Sequence, residues 1–177
     1  LSFGDIYLGD SYEYVVGKMG EPESVHQGKK EKAINGFKNG DLFCHYPAFD
    51  IAFQDNKVVE MKTPVSYNNS PHSICTKRGI SFPYASIMQI TDAYGRRCRQ
   101  FVDHILVVEY PIMSKENRPA VLRFEFVPKE NSYTKQFFDE NGQPRLFLFS
   151  DIFGSLINIV IRYEWVSTEH KEVCIPM

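Results

Sequence analysis

Residues 4–22, GDIYLGDSYEYVVGKMGEP, leave the chain little conformational choice. Tyr12, Val15, Val16 and Met19 stand at i, i+3, i+4 and i+7, which is one face of a 3.6-residue repeat. Asp10 can cap the free N–H groups of that helix, and Glu13, three residues on, completes a capping box. Ser11 is the alternative cap. Gly20 suits a left-handed helix end, and Pro22 cannot continue a helix. Residues 79–95, GISFPYASIMQITDAYG, are a degraded second copy. Ile87, Ile90 and Tyr94 take the matching face, Ser86 and Gln89 form the cap and its partner, and Gly95 follows Gly20 at an offset of 75 residues. A short apolar element precedes each helix, Ile6-Tyr7-Leu8 and Ile80-Ser81-Phe82.

Between the copies the sequence predicts a polar loop over 23–41, then strands at 42–46 and 49–53. The turn signal Gln54-Asp55-Asn56-Lys57 leads into a return strand at 58–62. Residues 63–76, with Pro64, Asn68, Asn69, Ser70 and Pro71, read as a linker. Beyond the second helix, Arg96, Arg97 and Arg99 complement a helix C-terminus. Strands are expected at 104–110 and 120–127, with Glu109 across from Arg123. A polar insertion follows at 128–144, and a second hairpin is expected from 145–149 and 156–163. In its last strand Ile157, Ile159, Ile161 and Tyr163 alternate with Asn158 and Arg162, the mark of a half-buried antiparallel strand.

The fold class expected is α+β: two tandem repeats, each a short helical segment packed on an antiparallel sheet. The first repeat spans 1–63 and the linker 64–76. The second repeat spans 77–177, with an insertion at about 111–144.

The formal charge of −2 gives no general attraction to nucleic acid or acidic membranes. No apolar run reaches the length of a membrane-spanning helix. The chain opens on Leu1 rather than Met, which reads as a processed or trimmed product. Cys44, Cys75, Cys98 and Cys174 are too sparse for a small disulfide scaffold. Free buried thiols are the default reading, and a Cys75–Cys98 disulfide becomes available if the protein is exported.

No nucleophile elbow, zinc-protease helix, phosphate loop or dinucleotide fingerprint occurs. A Cys–His pair would have to come from Cys44 or Cys98 with His45, His72 or His104. Cys44 and His45 point to opposite faces of a strand, which argues against that pairing. His72, Cys75, Cys98 and His104 supply four zinc-type ligands without the spacing of a zinc site. Neither catalysis, metal nor cofactor is therefore expected.

Aromatics make up 14% of the chain, enough to build a core and still leave some at the surface. Tyr46, Phe147, Phe149 and Trp165 are the candidate partner-binding residues, because such side chains supply contact area and, in Tyr and Trp, a polar handle. Core packing is the competing role for each of them.

The first copy resembles one repeat of the β-lactamase inhibitory protein-like group, which also includes small outer-membrane assembly lipoproteins of the SmpA/OmlA kind. Ile6, Leu8, Gly9, Val15, Val16, Gly20 and Pro22 carry the likeness, with Ile80, Phe82, Ile90 and Gly95 in the second half. The resemblance implies two sheets joined into a concave surface that grips a partner protein. It implies a non-enzymatic bacterial binding module, in a secreted or cell-envelope location rather than the cytoplasm. The second copy departs from the pattern, with Pro83-Tyr84 where the first has Gly9 and no Pro after its Gly. Nothing names a β-lactamase as the target, and the partner and oligomeric state stay open. The competing expectation is a small-ligand or hydrolytic protein with a pocket on a curved sheet.

Overall fold

A computed structural model of the chain describes residues 2–28, 40–63, 74–75, 78–82, 85–95, 99–103, 105–128 and 153–163. Its two helices, α1 (Tyr12–Met19) and α2 (Ile87–Tyr94), have eight residues each. Ser11 caps α1, in step with Ser86 at α2. The two hydroxyls accept the backbone N–H groups of Tyr14 and Gln89. Asp10 does not cap. Its Oδ2 accepts the Tyr7 N–H at 2.8 Å and closes the preceding turn, while Glu13 takes the side-chain amide of Asn56. The reciprocal capping box exists only at α2, where Gln89 Oε1 accepts the Ser86 N–H.

Helices this short do not stand alone in water. Packing supplies their stability, and both lie on the same sheet face. Tyr12 meets Phe53 edge-on at 5.3 Å, and Tyr94 packs on Tyr110 and Phe124 at 5.5 and 5.6 Å.

The strands are β1 (Ser24–Gln27), β2 (Leu42–His45), β3 (Asp50–Gln54), β4 (Lys57–Lys62), β5 (Ile74–Cys75), β6 (Ser81–Phe82), β7 (Arg99–Asp103), β8 (Ile105–Met113), β9 (Pro119–Pro128) and β10 (Phe153–Tyr163). Eight of them form one antiparallel sheet in the order β1-β2-β3-β4-β10-β9-β8-β7, and β5 pairs with β6 apart from it. The sheet is thus two four-stranded sets, each following a helix, joined through the last strand of each. The partners Ile51, Met61, Ile161, Leu122 and Tyr110 form one continuous buried row on the helix side.

Each helix end is tied to the second strand of its own set. Tyr46, just past β2, donates its hydroxyl to the Gly20 carbonyl at 3.4 Å, and Tyr110 in β8 donates to the Gly95 carbonyl at 2.8 Å. The β3–β4 turn has the expected chemistry. Asp55 and Asn56 both take left-handed conformations, φ 50° and 64°, as a two-residue type I′ hairpin requires. This hairpin also holds the start of α1. Tyr12 N–H donates to the Asn56 carbonyl, and Val58 N–H to the Asp10 carbonyl.

Several expectations are corrected. The polar loop over 23–41 contains β1, which has no apolar period and forms by pairing with β2. The apolar element Ile6-Tyr7-Leu8 runs through turns, with a single bridge between Phe3 and Ile6. Arg99, expected only to complement the helix end, opens a strand, β7, over residues to which the sequence assigned no element. The strand expected at 120–127 is present as β9, and residues 111–113, placed in the insertion, continue β8. Residues 145–149 and most of the linker lie outside the described residues.

Gly9 has a structural reason. Its φ is 90°, and a β-carbon there would stand 2.8 Å from Glu116 Oε1. Glu116 belongs to the β8–β9 turn, which reaches over to the other half of the sheet. There it pairs with Lys57 at 2.9 Å, while Lys115 lies over the Tyr7 ring at 3.3 Å.

Candidate functional site

The sheet face turned away from the helices carries charge. Cross-strand partners run Ser24, His45, Asp50, Lys62, Val160, Arg123, Glu109, one position on each strand from β1 to β8. A second row places Glu60 beside Arg162, which sits beside Val121. Asp50, Glu60, Lys62 and Glu109 are all buried. Unpaired charges in such positions cost several kcal/mol each, of the order of 3–5 when one partner is removed. Pairing is correspondingly dense. Glu109 Oε1 lies 3.4 Å from Arg123 Nη1 and 3.7 Å from Arg162 Nη2. Arg123 Nε stands 2.7 Å from Glu125 Oε1. Its N–H makes no aligned hydrogen bond, so that contact is an ion pair by proximity. Glu60, Lys62 and Glu125 have further interactions of their own.

Burial pushes the Lys62 ammonium below its ordinary value, and the carboxylates of Asp50, Glu60 and Glu125 pull it back. Burial likewise lowers Arg162. Glu60 opposes this, Arg123 adds to it, and Glu109 and Glu125 oppose it. A guanidinium starts so high that it stays charged regardless. The centre of this face is therefore a neutralised ionic layer closed to water.

The β1 end is different. Asp50 meets His45 Nδ1, and Glu23 Oε2 stands 3.7 Å from His45 Nε2. His45 and Glu23 are 37% and 59% exposed at the side chain, and His26 is also exposed. Ser24 is the backbone partner of His45, so serine, histidine and aspartate stand side by side on three strands. As a nucleophile–base set this is incomplete, because Nε2 of His45 contacts Glu23 rather than the serine hydroxyl. Among the described residues no group of three or more His, Cys, Asp or Glu side chains could hold a metal ion. No described helix is long and apolar enough to cross a membrane.

Of the residues singled out from sequence, Tyr46 lies in the core, 2% exposed, with its hydroxyl bound to Gly20. Burial first, then Cys44, Tyr12 and Glu21, raise its phenol to about 12. Phe147, Phe149, Trp165 and Cys98 lie outside the described residues. So does the side chain of Cys75, and with it the proposed disulfide. Cys44 is a free, buried thiol on the helix side, and its neighbour His45 is on the other face, as the alternation demands.

Sequence reasoning missed the His45–Asp50 pair, although a signal existed. The Tyr46 N–H bonds the Phe49 carbonyl, so the turn around Pro47 sets residues 45 and 50 opposite each other. Glu60 and Lys62 were hidden because charged residues alternating with Met61 normally mark a solvated face.

No protein-family model, curated protein or solved structure matches the chain.

Proposed function

We propose that the chain is a tandem repeat of two helix-on-sheet units and works as a non-enzymatic protein-binding module of the β-lactamase inhibitory protein-like kind. The observation that carries this reading is the strand order, two sets of four joined last strand to last strand. The serine caps and terminal glycines at one offset, and the two tyrosines bound to Gly20 and Gly95, support the same duplication. A sheet covered by helices on one face leaves the other face free to present charge to a partner, and charge patterning selects that partner. The accessible part of the face is the β1 end, with Glu23, His26 and His45. A secreted or cell-envelope setting goes with the resemblance.

The test is affinity capture from an extract of the source organism. The expected outcome is a discrete protein retained by the wild-type chain. Retention should fall about ten-fold, ~1.4 kcal/mol, in the exposed-residue variant His26→Glu, at unchanged Tm. Equal retention by both proteins, or no retained protein, contradicts the reading.

A further inference from the structure

One side chain on the charged face is held between two carboxylates. Asp50, on β3, meets His45 at Nδ1, and Glu23, just before β1, stands 3.7 Å from Nε2. A neutral imidazole has one N–H and one lone pair and can serve only one carboxylate. The imidazolium has an N–H on each nitrogen and serves both. Two other charged or titratable groups face this place. Lys62 on β4 is the cross-strand partner of Asp50, and His26 lies two residues beyond Ser24 on β1. Lys62 offsets part of the Asp50 charge, while Glu23 has no such neighbour among the described residues.

The strand concerned is thinly held. β1 has four residues, three of them exposed, and among the described strands pairs only with β2. Glu23 is joined to His45 twice. Its N–H donates to the His45 carbonyl at 2.9 Å, and its carboxylate faces the ring.

We propose that protonation of His45 fastens the edge strand β1 to the sheet. The imidazolium bridges Asp50 to Glu23. Loss of the proton to solvent leaves one nitrogen as a lone pair facing a carboxylate, and β1 loosens from β2. Acidification supplies the second N–H, so the fastening tightens as pH falls. This inference does not depend on the binding reading, because its readout is the strand itself.

Amide hydrogen exchange followed by mass spectrometry tests it, with rates corrected for intrinsic exchange at about pH 5.5 and 7.5. In the wild-type chain, protection of residues 24–27 should be roughly two- to five-fold greater at the lower pH, the scale of a part-exposed ion pair. Residues 50–54 should not change. His45→Gln and Glu23→Gln should each flatten the dependence. Glu23 is exposed, so its variant decides the matter if the histidine variant does not fold. Equal wild-type protection at both pH values overturns the proposal, and so does a dependence that survives in either folded variant.

Discussion

At the scale of single residues, burial decides more than chemical type. Cys44 is 1% exposed, and desolvation first, then Glu21, pushes its thiol from the ordinary 9.0 to about 11. A group whose folded value is raised contributes stability that is fully present below its unfolded value and is lost as pH rises through the folded one. The window is therefore pH 9 to 11, and the loss is at most roughly 3 kcal/mol for a shift of this size. The melting temperature of the wild-type chain should fall more steeply across that window than that of Cys44→Ala. The variant's cavity lowers its whole curve without changing the slope, and parallel curves would refute the assignment. The Glu109–Arg123 pairing was legible in the sequence, because the centre of the connecting turn fixed the register. The burial of Glu60 and Lys62 was not, because it needs β10 on the other side of β4 from its hairpin partner β3, and β10 is distant in sequence.

At the scale of elements, both helices were legible from period, cap and glycine stop. The local hairpin at Asp55-Asn56 was legible as well. Strands β1 and β7 were not, since neither carries an alternation of its own and each exists as a neighbour's partner. The ties between helix ends and strands were also invisible, because they join Gly20 to Tyr46 and Gly95 to Tyr110. A neutral hydrogen bond contributes about 1 kcal/mol net, within roughly 0.5–1.5. Tyr110→Phe should cost an amount in that range in a denaturant melt. Tyr46→Phe should cost less, because its bond is 3.4 Å against 2.8 Å. Costs in the reverse order would mean that these hydroxyls do not act as helix anchors.

At the scale of the whole molecule, the decisive feature is the seam between β4 and β10. Thr63 N–H donates to the Ile159 carbonyl at 3.0 Å, and the Thr63 hydroxyl accepts the Ile159 N–H. On its two sides lie the core pair Met61–Ile161 and the charged pair Glu60–Arg162. The local copies of residues 4–22 and 79–95 could suggest a duplication, but no local pattern states that the last strand of each half would pair with the other. The binding reading rests on this single continuous sheet. Thr63 and Ile159 are a hydrogen-bonded pair, so by alternation Lys62 and Val160 are a non-hydrogen-bonded pair, with α-carbons about 4.5 Å apart. The most direct measurement is a nuclear Overhauser contact between the α-protons of Lys62 and Val160 in the labelled full chain. A strong contact is the predicted result. Its absence, with α-proton contacts confined within each half, would mean two separate sheets and would contradict the account.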